Sequence, residues 1–156
     1  MPDTRTVERA RQDAREGKAP STQAGEFVRE EIDHIREGKH GARSAKQAIA
    51  IGLSKARRAG VKLPPPKPGQ ASARTVEQAK REVARGDSTN SPASPRRARA
   101  ASRKLKKEGH AAASHRALSA HAKSAARKRS ATERSDQAKR AARTRRAESS
   151  TSGGSK

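Results

Sequence analysis

The sequence has no cysteine, tryptophan or tyrosine, and a single phenylalanine, Phe27. Without cysteine there is no disulfide, no thiolate metal site and no cysteine nucleophile. Without a set of aromatic rings there is no stacking platform of the kind that single-strand nucleic-acid readers use. Large apolar side chains are scarce as well: leucine, isoleucine, valine and phenylalanine together number 14 of 156 residues. A fraction below about 20% combined with high net charge is the composition of a largely disordered chain. No run approaches the roughly 20 apolar residues needed to cross a bilayer. The first residues, MPDTRTVERARQ, lack the apolar segment of a secretory signal. There is no phosphate-loop motif, no GxSxG and no Rossmann glycine fingerprint, and little apolar material to wall a pocket. The expectation is a non-enzymatic protein with no cofactor, no small-molecule substrate and no membrane partner.

What the sequence has in abundance is positive charge. Lysine and arginine number 38 against 16 acids, for a net charge of +22. Such an imbalance speaks of partners and not of fold, and the obvious partner is a polyanion, whose condensed counterions are released as its phosphates are neutralised. The charge is uneven along the chain. Residues 1–70 carry 15 cations and 9 acids, residues 71–156 carry 23 and 7, and residues 96–147 alone carry 18 and 3. The apolar residues run the other way, with nine of the 14 lying between Phe27 and Leu63.

Periodicity predicts helices and no sheet. Residues 4–16 read as a polar helix with Val7, Ala10 and Ala14 on one face, stopped by Gly17, and marginal by itself. Residues 23–37 read as the best helix, with Ser21 or Thr22 as cap, Glu26 as capping-box partner, and Ala24, Val28, Ile32 and Ile35 as its stripe beside Phe27. Gly38 fits its C-terminal turn. After the loop GKHGAR, Ser44 caps a helix ending near Ala59, with Ala45, Ala48, Ile49, Gly52, Leu53 and Ala56 as its stripe, and Gly60 and Val61 close it. PPPKPG, 64–69, reads as a stiff spacer. The second half resembles an eroded copy of the first. TVERARQDAREG (6–17) matches TVEQAKREVARG (75–86), REGKHGA (36–42) resembles KEGHAAA (107–113), and SKARR (54–58) parallels SAARK (124–128). The expected architecture is all-α and partly disordered. A polar helix and loop occupy 1–21, a helical hairpin 22–63, and a Pro/Ser-rich linker with a short helix at 74–85 spans 64–95. A basic, Ala/Arg/Lys-rich helical tail follows at 96–147, and a disordered end at 148–156.

The residues singled out for nucleic-acid binding are Arg96, Arg97, Arg99, Arg103, Lys104, Lys106, Lys107, Arg127, Lys128, Arg129, Lys139, Arg140, Arg143, Arg145 and Arg146. Many cations without base-reading residues among them are the pattern of phosphate-backbone contact without sequence selection. Ser94-Pro95-Arg96-Arg97 also looks like the Ser-Pro-basic-basic element of linker-histone tails, although a linker turn is the simpler reading. Phe27, Val28, Ile32, Ile35, Ile49 and Leu53 are expected to form the hairpin core or a partner surface, and dimerisation through the hairpin would add to a thin core. The hairpin could instead present Arg43, Lys46, Gln47, Arg57 and Arg58 as a helix-turn-helix-like reader, but its loop is longer than usual. Glu30, Glu31 and Asp33, interleaved with Arg29 and Arg36, read as solvent-exposed pairing along a helix. None of the five histidines stands four residues from another, so no bound metal is expected.

Residues 17–66 and 105–129 resemble a family of small basic bacterial proteins of unknown function, some of them labelled plasmid stabilisation proteins. The resemblance implies a bacterial, cytoplasmic origin and, through the label, an association with DNA. The function expected is sequence-independent nucleic-acid binding of a nucleoid-associated or plasmid-maintenance kind, with duplex DNA favoured over RNA. The alternatives are an adaptor that uses the hairpin as its partner surface, and an RNA- or ribosome-associated protein.

Overall fold

Three helices of this chain end in the same way, and those endings set the architecture. Gly17, Gly38 and Gly60 take positive φ, and the next residue's N–H reaches back to the last turn: Lys18 to Asp13, Lys39 to His34 and Val61 to Ala56, at 2.9–3.0 Å. This closure satisfies orphan carbonyls and reverses the chain sharply. The computed structural model describes residues 2–66, 69, 71–87 and 94–152. Among these residues there are seven α-helices and no strand: α1 (Thr4–Arg15), α2 (Pro20–Arg36), α3 (Ala45–Arg58), α4 (Ala73–Asp87), α5 (Pro95–Lys106), α6 (His115–Arg127) and α7 (Ala131–Ser152). A 3₁₀ turn, Ala111–Ala113, precedes α6.

Asp3 caps α1, its Oδ1 accepting from Arg5 N at 2.9 Å. The α2 helix starts earlier than its candidate caps suggested. Ser21 and Thr22 lie inside it, and Pro20 opens it without a side-chain cap, because proline's fixed φ suits the first helical position and its missing N–H costs nothing there. Glu26 pairs with Arg9 and Arg29 instead of closing a capping box. Ser44 caps α3 as expected, through Gln47 N.

The chain forms two compact units, Met1–Leu118 and Ser119–Lys156. In the first, α2 and α3 form the antiparallel hairpin, α1 packs on α2, α4 packs on α3, and the 3₁₀ turn rests against both hairpin helices. The matching segments α1 and α4 thus each flank one arm of the hairpin. Two apolar clusters hold the unit. One joins Ala10, Ala24, Phe27, Ala56 and Val61, with Val7, Leu53 and Leu63 against them; the other joins Ile35, Ala42, Ala48, Ala112 and Ala113, with Ile32 beside them. Most of these side chains are alanine, so the helices must approach closely to exclude water. At Gly52 an added Cβ would lie 2.7 Å from the Val28 Cα.

The expectation of a hairpin separated by a linker from a partly disordered helical tail is corrected. Gly41 N donates to Leu105 O at 2.9 Å, Ala42 N to Gly109 O at 3.0 Å, and Arg36 Nε to Ala113 O at 3.1 Å. Residues 105–113 therefore belong to the folded first unit. Composition understated order here because alanine, absent from the count of large apolar residues, fills the contact. In the second unit, α7 carries the chain on to Ser152, and its residues 131–146 are exposed nearly all round. Its alanine and arginine content favours helix. The linker positions 88–93 and the end at 153–156 lie outside the described residues.

Gly52→Ala is expected to destabilise the protein by about 1–3 kcal/mol, as overpacking does in a tight core, and urea unfolding measures it. At Gly41 an added Cβ would overlap the carbonyl oxygen of Glu108. Gly41→Ala is therefore expected to release residues 105–113 while α1–α4 stay folded, seen as faster amide exchange at Ala112 and Ala113 with unchanged exchange at Phe27.

Candidate nucleic-acid interface and a buried polar cluster

The basic residues of the second half project into solvent. On α5, Arg96, Arg97, Arg99, Arg103, Lys104 and Lys106 are all exposed, as is Lys107 just beyond it, and the helix buries no residue. At 100° per residue these seven cations occupy about half of the helix circumference, and Ala98, Ala101 and Leu105 occupy the other half. Arg127, Lys128 and Arg129 are exposed at the end of α6, and Lys139, Arg140, Arg143, Arg145 and Arg146 are exposed on α7. On α6, Lys123 and Arg127 flank the small residues Ala120 and Ser124 and line a shallow, open hollow. Ser94 and Pro95 open α5, so Ser94-Pro95-Arg96-Arg97 is a helix start and not a linker turn.

The acids behave oppositely. Glu30 is 8% exposed and Glu31 is fully buried, which corrects the reading of both as solvent-exposed. Glu31 stands four residues from both Phe27 and Ile35, the two largest buried apolar side chains of α2, so helical geometry places it in the middle of the apolar face. The true stripe is Ala24, Phe27, Glu31 and Ile35, while Val28, Ile32, Ile49 and Leu53 flank the hairpin seam half-buried. The spacing was visible in the sequence, but alternation with arginine concealed it.

Lys55 of α3 answers the two carboxylates, its Nζ lying 2.6 Å from Glu31 Oε2 and 3.8 Å from Glu30 Oε1. Glu30 Oε2 also accepts from Asp3 N at 3.2 Å, which ties the start of α1 to α2. No hydrogen-bond donor meets either Glu31 oxygen in good geometry, so the short Lys55 contact is an ion pair without an aligned hydrogen bond. The Gly38 turn brings His40 back over α2, with Nε2 3.4 Å from Glu31 Oε1. His34 Nε2 lies 3.8 Å from Glu30 Oε1. Burial, then the positive charges of Lys55 and Lys39, push the His34 imidazole below its usual range, so His34 adds no compensating charge at neutral pH.

A second buried ion pair locks α4 onto α3. Glu82 accepts from Ser54 Oγ at 2.5 Å and from Gln78 Nε2 at 3.1 Å, and its Oε2 lies 3.9 Å from Arg57 Nη1. Arg57 also donates to Leu63 O and Pro64 O at 3.4 Å. It is 7% exposed, and burial draws its guanidinium below the usual value against the opposing pull of Glu82. Arg57 is therefore interior and unavailable as a reader, whereas Arg43, Lys46 and Arg58 are exposed and Gln47 accepts from Arg43 N.

These features describe a small all-α protein with a salt-bridged hairpin unit and an exposed cationic second half. Residues 3–67, which span α1, α2 and α3, match a family of unknown function, DUF6496. Comparison with curated proteins and with solved structures gave no match.

Lys55→Met is expected to cost about 3–5 kcal/mol by leaving two carboxylates without their cation in the hairpin. Glu31→Gln, which removes the surplus negative charge, is expected to cost clearly less. Chemical denaturation of the two variants measures the difference, and the reverse order would contradict this description of the cluster.

Proposed function

We propose that the protein binds nucleic acid through its second half, with duplex DNA as the principal ligand and the phosphate backbone as the feature recognised. The observation that carries this reading is the segregation of charge. The ion pairs of known geometry lie between residues 9 and 82, and the exposed cations of α5 face no carboxylate among the described residues. A helix with cations over half its surface follows a phosphate backbone and neutralises several phosphates at once. Nothing in α5 selects among bases, so binding is largely independent of sequence. Phe27, the single aromatic ring, is 1% exposed and has no access to a base for stacking, which favours duplex over single strand. A nucleoid-associated or plasmid-maintenance role is the biological form this activity would take.

Fluorescence anisotropy with a short DNA duplex tests the reading. If roughly 6–10 phosphates are engaged, affinity falls about 10³–10⁵-fold between 50 and 200 mM salt. Replacing Arg96, Arg97, Arg99 and Arg103 together by glutamine leaves the buried clusters untouched. It is expected to reduce the salt slope by about one for each phosphate no longer neutralised. A variant with undiminished affinity and slope would refute the assignment to α5. Competition by duplex RNA equal to that by DNA would move the ligand from DNA to RNA.

A further inference from the structure

The hairpin unit holds two buried carboxylates, Glu30 and Glu31, and one lysine, Lys55, that reaches both. Beside them stand two half-buried histidines, and the ligating atoms of Glu31, His34 and His40 all lie within 4.8 Å of one another. We infer that Glu31, His34 and His40 form a binding site for a divalent transition-metal cation of the zinc class.

Three independent features converge on it. The first is the Glu31 carboxylate, which is fully buried: Lys55 Nζ meets its Oε2 at 2.6 Å, while Oε1 receives no hydrogen bond and lies 3.4 Å from His40 Nε2. A buried carboxylate oxygen left without a partner is costly. The second is the orientation of His40. Its Nδ1 lies 3.2 Å from Gly41 O, and a carbonyl can only accept, so Nδ1 carries the proton. That leaves Nε2 turned toward the Glu31 carboxylate oxygen. A carbonyl that fixes one imidazole nitrogen so that the other presents its lone pair is the usual support of a metal-ligating histidine. The third is charge: two carboxylates face one ammonium, and a divalent cation would offset the difference.

Two imidazole nitrogens and one carboxylate oxygen are the donor set of zinc and its neighbours, and magnesium or calcium would need more oxygens. The His34 and His40 side chains are 21% and 17% exposed, so a cation can enter from solvent and keep water in a further position. Glu31 and His34 come from α2 and His40 from beyond the Gly38 turn, so the ion would pin the turn to the helix. The adjoining residues Gly41 and Ala42 carry the hydrogen bonds to Leu105 and Gly109, which places the site beside the contact that anchors the second half. The site is specific to the first half of the sequence. In the copy matched at 107–113, Ala111 stands at the position of His40, and Ser102 and Leu105 stand at those of Glu31 and His34.

The test uses the full chain, stripped with chelator, in titrations with zinc, cobalt and magnesium salts. Calorimetry is expected to give one zinc equivalent and no magnesium binding, and cobalt a visible spectrum of nitrogen and oxygen ligation. His34→Gln and His40→Gln are each expected to weaken zinc binding by more than about tenfold, the loss typical even of residues that only support a ligand. Under the same conditions His110→Gln is expected to bind as the parent does. Should a variant lose helix by circular dichroism, side-chain NMR of the unmodified protein decides instead: zinc is expected to shift the ring resonances of His34 and His40, with those of His110, His115 and His121 unmoved. Absence of zinc binding, or zinc shifts confined to the other three histidines, would overturn the assignment.

Discussion

Two carboxylates are held inside a helical hairpin, and the rest of the first unit is arranged around keeping them there. Glu30 and Glu31 lie between Phe27 and Ile35 on α2, with an apolar cluster near each end of the hairpin. Burying them is tolerable only because Lys55 reaches both and Asp3 N donates to one. Lys55 comes from α3 and Asp3 from the cap of α1, so the same charges fix how three helices meet. Arg57 and Glu82 repeat the device between α3 and α4. A core this poor in large side chains gains little from shape alone, and misplacing one helix would strand a buried charge at a cost of several kcal/mol. The ion pairs thus act on specificity of packing more than on total stability.

The alanine-rich seam is the counterpart of those charges. Ala24, Ala48, Ala56 and Ala113 are at most 1% exposed. Their small size lets helix backbones approach closely, and Gly52 permits such an approach against Val28. Such a seam buries modest area per residue but packs densely. It also allows residues 111–113, with no large apolar side chain among them, to dock on the hairpin. The first unit therefore extends well into the copied half, where composition alone indicates a solvated tail.

Some of this was legible in the sequence and some was hidden, for reasons specific to particular residues. Val61 and Gly60 announced the end of α3, Ser44 its start, and the shared TVE segments of α1 and α4 announced two equivalent helices. The buried acids were concealed because Arg29 and Arg36 sit near them in sequence, and i, i+3 or i, i+4 charge alternation is the usual mark of an exposed face. The helical wheel drawn from Phe27 and Ile35 places Glu31 inside. The Glu31, His34 and His40 cluster shows no pair of histidines four residues apart because its third member arrives through a turn. Arg57 looked like a surface cation because nothing local predicts that Leu63 and Pro64 fold back onto it.

Charge is thereby sorted by the fold. Glu30 and Glu31 of the hairpin are consumed in interior pairs, and the cations of α5, α6 and α7 are left projecting into solvent. On this account the second half meets phosphate while the hairpin serves as its anchor. Lysine acetylation footprinting of the full chain with and without duplex DNA tests this division most directly. Lys104, Lys106, Lys107, Lys128 and Lys139 should be protected by DNA, while the exposed Lys46 and Lys62 of the first half should react at unchanged rates. Protection centred on Lys46 and Lys62, or none anywhere at low salt, would contradict it.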